Sequence, residues 1–138
     1  MIRTEFYVED EFRVPSFAGP SELKVLGGWI TSDIQLSPLA ILEAIDLVSA
    51  ARANPAVGSE ELDGNAHTAT ITGHGVTVEN IYVDHVRGEF TLDQALRVLI
   101  DFWDYCCQAH SDEVDEYRRQ YASENGRDPL AGIRDFCS

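Results

Sequence analysis

Apolar and polar positions alternate with a period of two along residues 65–83. His67, Ala69 and Ile71 fall on one side of an extended segment, with Thr68, Thr70 and Thr72 on the other. Val76, Val78 and Tyr82 alternate in the same way with Thr77, Glu79, Ile81 and Val83. This rhythm marks half-buried strands. Gly73-His74-Gly75 between them predicts a hairpin with a three-residue loop, in which Gly75 supplies the left-handed residue. Facing threonines pair tolerably across such strands.

On either side the rhythm becomes helical. Leu39, Leu42, Ile45 and Val48 recur at three-residue steps with Ile41 beside them, which gives one apolar face. Ser37 suits the N-cap, Pro38 the first helical position, and Pro55 helps to end the helix. Later, Thr91-Leu92-Asp93-Gln94 has the capping-box pattern. Leu92, Ala95, Leu96, Leu99, Phe102, Trp103 and Cys106 line one side of the helix it opens, and Asp93, Arg97, Asp101, Asp104 and Gln108 the wet side. That helix should cross the sheet with Trp103 in the core. Ser111-Asp112-Glu113 starts another, its carboxylates near the positive helix end. Val114, Tyr117 and Tyr121 give it a narrow apolar stripe, Asn125-Gly126 stops it, and Leu130, Ile133 and Phe136 dock a last short turn.

The early part of the chain reads as extended. Phe6, Val8, Phe12 and Val14 alternate as one strand, or as two broken at Glu9-Asp10-Glu11, and Ser16-Phe17-Ala18-Gly19-Pro20 is turn-rich. Leu23, Val25, Gly27 and Trp29 share a face of a second extended segment, with a bulge at Gly27-Gly28. Residues 56–65 are a polar connection. Together these elements predict an α+β fold, an antiparallel β-sheet covered by helices. Residues 1–110 form the core domain, and residues 111–138 an acidic helical C-terminal extension packed on it.

Composition fits that picture. A chain of 138 residues makes one domain that buries roughly two thirds of its unfolded surface. No apolar run nears the roughly 20 residues of a bilayer span, and Met1-Ile2-Arg3-Thr4-Glu5 turns acidic at once, so a cytoplasmic location is expected. Three cysteines, two of them adjacent at Cys106-Cys107, are not a disulfide framework.

Charge adds more. There are 24 acidic residues against 10 basic ones, a formal net charge of −14. Nucleic acid and anionic membrane would be repelled. A basic protein would be attracted, although the same acidity also serves solubility. Candidate chemistry is sparse. His67, His74, His85 and His110 show no H-x-H, HExxH or CxxC spacing, so no metal site and no cofactor is expected. Cys106 and Cys107 lie in a helix interior near Asp104, a poor setting for a reactive thiolate. Asp101 with Asp104, and Asp112 with Asp115, share helical faces as a solvated or cation-recognising surface.

Three stretches carry a family resemblance: Thr31-Ser32-Asp33-Ile34-Gln35, Gly64-Asn65-Ala66-His67-Thr68 and Gly75-Val76-Thr77-Val78-Glu79-Asn80. With the acid-rich link to a helix ending near Trp103, they resemble YacL-like proteins and the immunity proteins of bacterial contact-dependent growth inhibition (CdiI-type), over about residues 4–106. The resemblance implies a cytoplasmic binder, without catalysis of its own, that covers the active site of a cognate toxin domain, often a nuclease. The contact residues of such proteins diverge, and the extension after His110 departs from their pattern. The expected attractive surface is therefore the acidic set Asp101, Asp104, Asp112, Glu113, Asp115 and Glu116, with Tyr117 as an aromatic anchor. A YacL-like housekeeping role with another protein partner, a homodimer among them, and a small hydrolase using histidines and carboxylates are the alternatives.

Overall fold

Gly75 sets the geometry of the central hairpin, and the turn is tighter than the sequence predicts. In the computed structural model, β4 (His67–Thr72) and β5 (Gly75–Asn80) pair antiparallel with Thr72 opposite Gly75, so only Gly73 and His74 form the loop. Gly75 has φ +152° and faces the Phe90 carbonyl, a place where a side chain would collide. The residues described are 5–8, 15–18, 23–34, 38–56, 58–64, 66–83, 85–109 and 111–130.

Two further strands complete a four-stranded antiparallel meander in the order β3-β4-β5-β6. They are β3 (Glu60–Asp63) and β6 (Arg87–Phe90). Both lie where the sequence predicts only connections. The second hairpin strand also stops earlier than its alternation suggests. Asn80 Oδ1 accepts the backbone N–H groups of Tyr82 (2.9 Å) and Val83 (3.0 Å), which turns the chain and leaves Ile81, Tyr82 and Val83 exposed. Near the start of the chain, β1 (Glu5–Val8) pairs antiparallel with β2 (Pro15–Ala18). That second strand takes in Ser16, Phe17 and Ala18, which read as a turn, while Phe12 and Val14 lie outside the described residues.

The largest correction falls on residues 23–34. Instead of a strand with a bulge, they form α1 (Lys24–Trp29), continued by a π-helical turn over Ile30–Ile34. Leu23, Leu26, Trp29 and Ile30 are buried, a spacing that suits one helical face as well as the alternation suited a strand. Where the ladder loosens, Thr31 Oγ1 donates to the Gly27 carbonyl at 3.0 Å.

The three longer helices match expectation. α2 (Pro38–Ala53) buries Ile41, Leu42, Ile45 and Val48. α3 (Leu92–Ala109) begins with the capping box complete: the Gln94 amide donates to Thr91 Oγ1 at 3.0 Å, and the Thr91 amide to Gln94 Oε1 at 2.9 Å. Its Leu96, Leu99, Phe102 and Trp103 enter the core. α4 (Ser111–Asn125) ends at Gly126, whose φ of +72° provides the left-handed stop. Together α1, α2 and α3 meet the sheet face that carries Ala69, Ile71, Val76, Val78 and Phe90. Burying each such large apolar side chain stabilises by about 1.5–3 kcal/mol before chain entropy is counted. The fold is α+β, as expected.

Candidate protein-binding surfaces

Asp46 ties α4 and the residue just beyond it to α2. Asp46 lies on α2, on the side that faces α4, and its side chain is only 8% exposed. Tyr121 of α4 donates its hydroxyl to Asp46 Oδ2 at 2.8 Å. Arg127, just beyond the Gly126 stop, donates Nε to Oδ1 and Nη2 to Oδ2, both at 2.7 Å. Burial alone would raise the Asp46 carboxyl, but the Arg127 and Tyr121 hydrogen bonds and the guanidinium charge outweigh it and bring it below its ordinary value. The same geometry pushes Tyr121 well above its ordinary value, through burial first and then its bond to Asp46. This three-residue network escaped the sequence reading.

The predicted acidic residues distribute over two helices that touch. On α3, Asp101 is half-buried and Asp104 exposed. On α4, Asp115 and Glu116 are exposed, and Tyr117 retains 37% of its surface. Asp112 and Glu113 fall in the first turns of α4, and their side chains lie outside the described residues. Arginines interrupt the acidic run. Asp115, Arg118, Arg119, Ala122 and Asp128 line a cleft of about 340 Å³, with Arg118 clasped by Asp128 at 2.8 Å.

A second polar surface covers the sheet face opposite the core. Cross-strand register aligns Glu61, Thr70, Thr77 and Glu89 in one row, and Asp63, Thr68, Glu79 and Arg87 in the next. Thr68 Oγ1 donates to Asp63 Oδ1 at 3.1 Å, and Arg87 stands 3.3 Å from Glu79 and 3.5 Å from Glu89. At one end of this face the β5–β6 turn holds Ile81, Tyr82 and Val83 at 50%, 77% and 37% exposure. Alternation along the sequence predicts a strand for these three instead.

Of the histidines, His67 is buried, His74 and His85 are exposed on turns, and His110 lies outside the described residues. Among the described residues no group of three His, Cys, Asp or Glu side chains is placed to hold a metal ion, and no helix is long and apolar enough to cross a membrane. No protein-family model, no curated protein and no solved structure matches this chain.

Proposed function

We propose that this chain is a cytoplasmic immunity-type inhibitor that binds a basic toxin domain, a nuclease, and covers its active-site cleft. The observation that carries the reading is the exposed pair Asp115 and Glu116 beside the partly exposed Tyr117, on a chain of net charge −14. A nuclease must be basic where it holds phosphates, so carboxylates can occupy that cleft in place of nucleic acid. Complementary fields of this kind raise association rates by factors of about 10 to 1,000. Asp101 and Asp104 on the adjoining helix extend the acidic surface. Arg118 opposes it little, because its guanidinium is already neutralised by Asp128.

The test begins with the neighbouring gene, which on this reading encodes a large exported protein ending in a variable basic domain. That domain, purified, is the binding probe. Joint replacement of Asp112, Glu113, Asp115 and Glu116 by lysine should slow association at least about tenfold at low salt and flatten its salt dependence. An unchanged on-rate and salt dependence would overturn the electrostatic surface. No complex with the domain at micromolar concentration would overturn the inhibitor reading itself.

A further inference from the structure

The meander leaves two strand edges, and they differ in chemistry. Among the described residues no strand pairs with the outer side of β3 or of β6. The Asn80 amide donates to the Val86 carbonyl at 2.9 Å, so Val86, Gly88 and Phe90 turn their backbone groups towards β5. By alternation, the N–H and C=O groups of Arg87 and Glu89 point away from the sheet. The same reasoning at β3, from the Gly64 amide bonded to the His67 carbonyl, turns Glu61 and Asp63 outward. Every antiparallel self-pairing of β3 therefore sets carboxylate against carboxylate. Charge protects that edge from a second copy.

The β6 edge behaves differently. An antiparallel second copy can use its outward groups only in registers that match residues 87 and 89. Centring on residue 87 opposes two arginines, and centring on residue 89 opposes two glutamates. Centring on Gly88 places Arg87 opposite Glu89 of the second copy, twice, with their outward backbone groups matched for hydrogen bonding. Both side chains are well exposed, at 54% and 75%, and available to re-pair. Their present partners hold them only by long exposed contacts of 3.3 and 3.5 Å. In this register Val86 faces Phe90 of the second copy on the core side. The exposed Ile81–Val83 turn then comes level with the start of α3 in that copy, where Leu92 is half-buried.

We propose that β6 is a homodimerisation edge, on which a second copy adds its own β6 antiparallel about Gly88 to make one continuous eight-stranded sheet. The interface is small, so association is weak, with a dissociation constant of about 10 μM to 1 mM. This does not depend on the toxin-binding reading.

Sedimentation velocity of the full chain up to about 1 mM, at about 0.15 M salt, tests it. The wild-type protein should dimerise with concentration. Arg87→Glu and Glu89→Arg should each weaken the dimer about tenfold or more, because each turns two opposite-charge pairs into like-charge pairs. Glu89→Arg is the sharper arm: it lowers the net negative charge and so should favour self-association if bulk repulsion governed. The double variant Arg87→Glu/Glu89→Arg recreates both pairs and should restore wild-type association. As a measurement on the unmodified chain, the Arg87 and Glu89 amides should gain protection from hydrogen exchange with rising concentration. A monomer at every concentration, a dimer indifferent to the single changes, or a double variant that stays monomeric would each overturn the proposal.

Discussion

Replacing Asp46 by alanine should loosen α4 from α2 and destabilise the protein by about 2–3 kcal/mol. The estimate rests on the tyrosine side of the network. Tyr121 is 8% exposed and donates at 2.8 Å to a carboxylate, and hydrogen bonds to charged groups contribute about 1.5–3 kcal/mol. The substitution also strands the Tyr121 hydroxyl without its acceptor. Arg127 adds less than its two 2.7 Å bonds suggest, because its side chain is 62% exposed and water replaces the lost partner. Urea unfolding followed by the fluorescence of the buried Trp29 and Trp103 reads the change directly. With a slope of about 1–3 kcal/mol per molar, the midpoint should fall by roughly 0.7–3 M. Tyr121→Phe should cost less, and Asp46→Ala/Tyr121→Phe less than the sum of the two singles, since removing the hydroxyl removes the stranded group. The dependence on pH has a definite sign. Asp46 titrates below its ordinary 3.8 in the folded state, so its contribution is complete above about pH 4 and disappears as pH falls through the folded value. Wild-type and Asp46→Ala midpoints should therefore converge in acid. An Asp46→Ala midpoint within about 0.3 M of wild type at pH 7, or a gap that widens in acid, would refute the reasoning.

Two further substitutions probe local geometry. Thr91→Ala removes the acceptor for the Gln94 amide and should cost about 1 kcal/mol, a fall in melting temperature of about 4 °C by calorimetry. Gly73→Ala would drive a methyl group into the Pro55 backbone, which cannot rotate away, and should cost about 1–3 kcal/mol. A melting temperature equal to wild type would show that the turn can withdraw from the end of α2.

The sequence shows most clearly those elements whose local signals agree. In the hairpin, alternation, threonine pairing and glycine punctuation coincide, and in α3 a capping box precedes a broad apolar face. Residues 23–30 are ambiguous in the sequence, because Leu23, Leu26, Trp29 and Ile30 fit a helix while Leu23, Val25, Gly27 and Trp29 fit a strand. The glycine pair speaks for a strand bulge, whereas the buried set in the fold is the helical one. β3 and β6 are hidden in the sequence for a different reason. Glu-Glu-Leu-Asp and Arg-Gly-Glu-Phe have little strand propensity, and they are strands because β4 and β5 offer them hydrogen-bonding edges. The Asp46 network did leave a trace. Asp46 lies four residues after Leu42 and next to Ile45, close to the apolar stripe of α2, where a carboxylate needs a donor. Which donor could not be read, because Tyr121 and Arg127 follow 75 and 81 positions later.

That separation also bears on how the chain is made. A ribosome adding about 5–20 residues per second delivers Arg127 roughly 4–16 s after Asp46. Small domains commonly fold faster than this, so α2 and the sheet emerge together while the carboxylate still lacks both donors. Before Tyr121 and Arg127 are made, Asp46 has neither donor, and the edge of α2 that receives α4 has nothing to cover it. On this timing the full network cannot form until translation has passed Gly126. Closure of that seam is then a late event, timed by synthesis.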